Sequence, residues 1–227
     1  ESLTEVNGFV DSYEYINFTS VRYLQGDLYG KLLALLTVSP IYIGVMCVTL
    51  VVFNRDLNML LVCIGQMMNL TLNRILKNTI NEPRPEGAPI QSSGMPSQHA
   101  QCMFFFAVCF ARTSVSKRIC SDRWGQVLID GMFFALAAVV SHARVYLGYH
   151  SLEQVVVGAL VGLGFASLWQ SRPFQKLITW CKSLHLPSLL LGYFHFKDYS
   201  DSGIENILQF ENYCIKKEKQ RTSIKCN

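Results

Sequence analysis

Between Leu32 and Phe53 the chain runs for 22 residues without a charged side chain. A helix of that length rises about 33 Å, enough to cross the hydrocarbon core of a bilayer. Nothing in that core can satisfy an exposed peptide group, so such a segment must be helical, and neighbours that share the membrane must be helices too. Further apolar stretches follow, at roughly residues 59–76, 101–111, 125–141 and 151–169. The expected fold is therefore all-α, a polytopic membrane bundle of about five transmembrane helices. Charged residues make up only 16% of the chain, where a soluble domain usually carries about a quarter.

Some polar residues have a place within this frame. Pro40 kinks the first span. Gln66, Asn69, Asn73 and Lys77 recur at helical intervals and so stack on one face of the second span. For Gln66 and Asn69 that face reads as hydrogen bonding between helices, while Lys77 lies at the helix end, where the face opens into a pocket. From Asn78 to Met95 the chain is turn-like, with Pro83, Pro85, Gly87, Pro89 and Gly94. A long loop in a compact membrane domain is usually a binding loop, and the prolines flanking Arg84 restrict the backbone that aims its guanidinium. An arginine exposed to headgroups is the other reading. Pro96 and Ser97 open the next helix, whose free amides are able to receive a phosphate oxygen. Gly158 and Gly162 allow close helix contact in the last span.

Charge decides the orientation. Arg112, Lys117, Arg118 and Arg123 stand against Asp122 between the third and fourth spans, a cytosolic signature. Residues 1–31 are acidic and aromatic-bearing, which suits the opposite, lumenal side, and the polar, acidic stretch Glu1 to Thr19 does not match a signal peptide. Asn17-Phe18-Thr19 within them is a glycosylation acceptor pattern. Five spans return the loops 77–99 and 142–150 to one common non-cytosolic face. The expected division is a lumenal segment 1–31, a five-helix membrane domain 32–169 and a basic cytosolic or interfacial segment 170–227, the last with a short apolar stretch 184–194 and a solvated tail 216–225 suited to anionic lipid. A net charge of +4 carried this way speaks for topology and against a nucleic-acid partner, which needs a denser basic face. Cys47, Cys63, Cys102 and Cys109 lie in apolar runs and act as small hydrophobes, without the pair spacing of a metal site.

Chemistry concentrates where charge interrupts the apolar pattern. Arg144 and His150 stand six positions apart between the fourth and fifth spans, where membrane proteins seldom keep charge without a use. Lys77, Arg84 and His99 complete an inventory of two histidines, two arginines and a lysine. Phosphoryl transfer asks for fixed positive charge on the phosphate oxygens, a nucleophile in line and an acid at the leaving oxygen. A chance gathering of helix-end residues is the competing reading.

Three segments in order carry a resemblance: Lys77 followed after six residues by Arg84-Pro85; Pro96-Ser97-Gln98-His99; and Arg144 followed after five residues by His150. They resemble the three-part signature of the membrane phosphatidate phosphatase (type 2) superfamily. The likeness extends to Gly26-Asp27-Leu28, Glu82-Pro83-Arg84-Pro85, Gly94-Met95-Pro96-Ser97 and Phe210-Glu211, and within the superfamily it is greatest for the dolichyldiphosphatase branch. The resemblance implies an endoplasmic-reticulum membrane phosphatase with a lumenal site and neither metal nor cofactor. Its substrate would be the lipid dolichyl diphosphate, cleaved to dolichyl phosphate and inorganic phosphate to recycle the carrier of protein N-glycosylation. His150 would attack phosphorus to form a phosphohistidine, and His99 would protonate the leaving oxygen and then activate water. Arg144, Lys77 and Arg84 would hold the phosphate oxygens, with the amides around Ser97 and Gln98 completing the cradle.

Three positions depart from the superfamily pattern. Ala143 and Gln98 replace a serine and a glycine, and Gln154 stands where an aspartate follows the nucleophile. A glutamine orients the ring through its carbonyl oxygen but gives no full charge; the dolichyldiphosphatase branch is familiar with it. Glu153 is a weaker substitute, facing about 100° away on a helix. His142 has no place in the motif and falls to the rim, and Tyr146 and Tyr149 fall to packing or headgroup contact. The alternatives are a broader lipid phosphate or polyprenyl diphosphate phosphatase, and a non-enzymatic membrane scaffold or transporter on the same fold.

Overall fold

The computed structural model describes residues 13–16, 21–90, 92–112, 122–184 and 192–193. A hairpin of β1 (Tyr13–Ile16) and β2 (Val21–Leu24) precedes the first helices. α1 (Leu28–Leu36) and α2 (Ser39–Asn54) together make the first apolar span. Asp27 caps α1 by accepting from the Gly30 amide at 2.9 Å. Pro40 lies in the first turn of α2, where its missing N–H breaks no helical bond. The expected kink is therefore a break at Thr37 and Val38. α3 (Leu57–Ile80) starts on the Asp56 cap and stops where Asn81 turns left-handed at φ 48°. α4 (Gln98–Arg112), α5 (Arg123–Tyr146), α6 (Leu152–Trp169) and α7 (Arg172–Ser183) follow.

Lipid, not water, is the solvent for most of this surface. Leu28, Phe53, Trp124, Leu128 and Met132 are exposed, while Gln66, Asn69, Asn73 and Gln101 are buried. Four segments, residues 28–53, 57–80, 123–146 and 152–169, are long and apolar enough to cross a membrane. The expectation is about five. The remaining helix, α4, has 15 residues, short for a span, and it is the one the others enclose. Its Phe105, Phe106, Cys109 and Phe110 pack with Met59 and Val62 of α3, Ala137 and Val140 of α5, and Ala166 and Trp169 of α6. Gly158 and Gly162 let α6 lie directly on α4, because a methyl group at either would collide with the backbone carbonyl of Ser97 or Gln101.

The polar face of α3 is used as expected, and for more than helix pairing. Gln101 Nε2 donates to Asn69 O and to Asn69 Oδ1, each at 2.8 Å. Asn73 Nδ2 donates to Gln101 Oε1 at 2.7 Å and to Pro96 O at 3.3 Å. Asn69 Nδ2 in turn donates to Gln66 Oε1 at 3.2 Å. This amide ladder ties the entry of α4 to α3 in a medium where unmade hydrogen bonds are costly. α5 runs on to Tyr146, past the boundary near Ser141 expected from hydropathy. Arg144 is thus a last-turn residue and not a loop residue; between Ser141 and Gly148 no glycine or proline stops the helix. Asn17, Lys117 and Arg118, on which the orientation partly rests, lie outside the described residues, as do 185–191 and 194–227.

Candidate active site

The C-terminal ends of α3 and α5 and the N-terminal ends of α4 and α6 meet at one end of the bundle. Arg144 organises the turn between α5 and α6. Its carbonyl accepts from the amides of Tyr149 at 3.0 Å and His150 at 3.1 Å, and Gly148 supplies the left-handed step at φ 71°. The five-residue spacing is the size of this closed turn, so one residue presents a guanidinium and also fixes the backbone of the histidine. The Arg144 guanidinium carbon lies 3.9 Å from the ring centre of Tyr149, a cation–π seat for a buried charge. The Tyr149 hydroxyl accepts from the Arg22 amide of β2 at 2.9 Å, which pins that ring from above.

His150 is 3% exposed, and the groups around it settle its tautomer. Ser151 caps α6 by accepting from the Gln154 amide at 3.3 Å, and the Gln154 side chain reaches back in a capping box. Gln154 Nε2 donates to Glu82 Oε1 at 3.0 Å and to Pro83 O at 2.8 Å. A proline carbonyl only accepts, so the amide nitrogen faces it and Oε1 faces the histidine, 3.1 Å from Nδ1. The proton therefore sits on Nδ1, and Nε2 presents its lone pair. Arg84 Nη1 is 3.4 Å from that Nε2 and donates to Tyr149 O at 3.0 Å. Burial pushes the imidazole down to about 3; the charges of Arg84, Arg144 and Lys77 add to the shift, and the Gln154 hydrogen bond opposes it. The ring is neutral at any physiological pH.

Cations line the open side. Lys77, half-buried, donates from Nζ to Ser93 O at 3.1 Å. His99, in the first turn of α4, lies within electrostatic reach of Arg144, His150, Arg84 and Lys77. The residues expected to converge do so. The cradle differs in one detail. The Ser97 amide already donates to the Gln154 carbonyl at 2.9 Å, so Ser97 offers its hydroxyl in place of its N–H. The Gln98 side chain is exposed, leaving its amide at the helix start. Three polar atoms here are buried with no hydrogen-bond partner among the described residues: Ser97 Oγ, Arg84 Nε and Arg144 Nε. Donors left open together in one basic recess fit an oxyanion.

The remaining sequence candidates fall outside this recess. Glu153 is exposed. His142 is exposed too, and its ring sits 6.4 Å from Tyr29 and 6.1 Å from Tyr146 at the rim. The Tyr146 hydroxyl donates to Asp27 Oδ2 at 3.1 Å. Two residues go beyond what sequence reasoning assigned them. Tyr149 supports Arg144, a contact with no periodic signature. Glu82 meets Gln154, and its only signal is its place in Glu82-Pro83-Arg84-Pro85.

Residues 58–177 match the PAP2 superfamily model. The chain is 38% identical over 169 residues to human dolichyldiphosphatase 1, covering 70% of this chain and 71% of that one. It is 32% identical over 209 residues to dolichyldiphosphatase 1 of Dictyostelium discoideum, covering 87% of each. Among solved structures, a transmembrane PAP2-type phosphatidylglycerolphosphate phosphatase from Bacillus subtilis superposes with a TM-score of 0.57 at 20% identity, over 68% of this chain and 80% of that one.

Proposed function

Because the chain belongs to the PAP2 superfamily and is a membrane phosphatase of that family, we propose that it hydrolyses dolichyl diphosphate to dolichyl phosphate and inorganic phosphate. The relatives supply the substrate; the site supports the reaction. The observation that carries it is the set of unpartnered donors, Ser97 Oγ, Arg84 Nε and Arg144 Nε, beside the lone pair of a neutral His150. They suit a terminal phosphate whose oxygens face the cations and whose phosphorus faces Nε2.

On this reading His150 Nε2 attacks the terminal phosphorus, and the bond to the bridging oxygen breaks with its electron pair. His99 gives that oxygen a proton, and dolichyl phosphate leaves. His99, now a base, takes a proton from water, whose oxygen displaces His150 and releases inorganic phosphate. Arg144, Arg84 and Lys77 carry the equatorial charge, with the Ser97 hydroxyl and the Gln98 amide as further donors. Gln154 holds the His150 ring. Residues 32–169 form the catalytic membrane unit, with 1–31 lumenal and 170–227 cytosolic or interfacial. The site then faces the lumen of the endoplasmic reticulum and serves the carrier lipid of N-glycosylation.

Purified protein assayed in parallel on dolichyl diphosphate, dolichyl phosphate and phosphatidate, with EDTA present, tests the substrate. Inorganic phosphate from the diphosphate at the highest kcat/KM is expected; equal or better turnover of either monophosphate contradicts the proposal. A membrane-impermeant thiol label on Ser92→Cys, an exposed position of the same loop, in sealed microsomes tests the side. Reaction only after the vesicles are opened is expected, and reaction in intact vesicles contradicts a lumenal site.

A further inference from the structure

An aspartate behind a catalytic histidine contributes charge as well as orientation, and this chain has a neutral Gln154 in that place. The charge is present one hydrogen bond further back. Gln154 holds His150 Nδ1 with its oxygen and Glu82 Oε1 with its nitrogen, at 3.1 Å and 3.0 Å. We propose that Glu82 is a positioning residue of the reaction, its carboxylate acting on His150 through the Gln154 amide in place of a directly bonded aspartate. The inference rests on the reading of His150 as nucleophile.

The surroundings are built to keep that relay aligned. Pro83 O accepts the second hydrogen of the Gln154 amide, so the amide cannot flip without losing two acceptors. The Glu82 carbonyl accepts from Gly94 N at 2.7 Å, which closes the loop over the same amide. Gly94 has to be glycine there, since a methyl group would collide with the Gln154 carboxamide. The loop also straddles the nucleophile. Glu82 reaches its Nδ1 side through Gln154, and Arg84, two residues on, reaches its Nε2 side directly. Glu153, the nearer carboxylate in sequence, is exposed.

The chemistry needs such a charge at one stage. When Nε2 bonds to phosphorus, Nδ1 keeps its hydrogen, and the ring becomes a phosphoimidazolium with a positive charge among three other cations. A polarised amide passes part of the Glu82 charge to that ring: the carboxylate draws on Nε2–H, and Oε1 becomes a stronger acceptor for Nδ1–H. The site gains a counter-charge without a carboxylate beside the phosphate, where it would repel the substrate.

Steady-state kinetics with rapid-quench trapping of acid-labile phosphoenzyme tests this on the full-length protein. Glu82→Gln keeps an acceptor for the Gln154 amide and removes only the charge. Its kcat is expected to fall about tenfold, with KM changed less than about twofold. Gln154→Glu alone sets two carboxylates face to face and is expected to be slow as well. Combining Glu82→Gln with Gln154→Glu moves the charge to the inner position and reverses the donor, and it is expected to recover kcat to above either single variant. A merely structural Glu82 predicts full activity for Glu82→Gln and no recovery on combination; either result overturns the proposal. If the wild type traps no phosphate on His150, the mechanism beneath it fails instead, which the same quench distinguishes.

Discussion

The two sides of His150 are built on opposite terms. Behind it, on the Nδ1 side, Gln154, Glu82, Pro83 and Ser151 pair with one another, and deeper in the bundle the ladder of Gln101, Asn69 and Asn73 is paired too. In front, Arg84 lies on the Nε2 side, Ser97 Oγ, Arg84 Nε and Arg144 Nε are buried with no hydrogen-bond partner among the described residues, and Lys77 and His99 are within electrostatic reach. Paired groups in a low-dielectric medium hold geometry. Unpaired donors there cost stability and gain it back only when an anion arrives. The rear thus sets the position of the nucleophile, and the front is held ready for phosphate. Substitutions in front should reduce activity and leave folding intact; substitutions that break a paired hydrogen bond behind should reduce folding stability first, whereas Glu82→Gln keeps its hydrogen bond and is read in kcat.

The largest effect is expected in front. Arg144→Lys keeps the charge but loses the planar fork and its seat on Tyr149, and should lower kcat/KM about 100-fold with an unchanged melting temperature in detergent. A value within threefold of wild type removes Arg144 from the phosphate contacts. Behind, Gln101→Leu leaves Asn69 Oδ1 without its donor, and should destabilise the fold by about 2 kcal/mol as read by thermal unfolding. Unchanged stability would show that the ladder does not support the bundle. Ser97→Ala sharpens the contrast. It removes one open donor, so phosphate release should slow about tenfold, while the melting temperature holds or rises because a buried unsatisfied hydroxyl is gone. A lower melting temperature would place Ser97 on the structural side.

A further check is a pH dependence of stability. His150 is neutral in the fold because burial, and then the charge of Arg84, hold its pKa down to about 3, against about 6.5 in the unfolded chain. The unfolded state then binds the extra proton first, so this group's contribution to stability is complete above pH 6.5 and declines as pH falls toward 3. Between pH 7 and pH 4 the melting temperature of His150→Ala should decline less steeply than that of wild type. Equal slopes would mean that His150 is not buried neutral.

Much of this contrast was readable from the chain, and the unreadable part has a pattern. Spans follow from apolar length, and the polar face of α3 from its three- and four-residue spacing, because both are local periodicities. Arg144 and His150 stand out because charge is scarce at a membrane boundary. The end of α5 lies beyond the apolar stretch, since hydropathy falls at His142 and Arg144 while the helix continues to Tyr146. The length of α4 understates its role: an enclosed helix needs burial on every side more than it needs to reach both interfaces. Glu82 and Tyr149 act through contacts across 72 and 127 residues of sequence, to Gln154 and Arg22. No pattern within one segment encodes a partner in another, and the occupation of the Ser97 amide by Gln154 is hidden for the same reason.

The central claim is that Nε2 of His150 receives the phosphoryl group and that His99 handles protons. Rapid quench of labelled enzyme separates these roles. With dolichyl diphosphate, wild type should show acid-labile phosphate on the protein and His150→Ala should show none. With a lipid diphosphate analogue whose leaving group is already acidic, His99→Ala should accumulate the label, because departure no longer needs the proton while water attack still needs the base. Acid-labile phosphate on His150→Ala, together with its absence from His99→Ala, would contradict the account and exchange the two histidines.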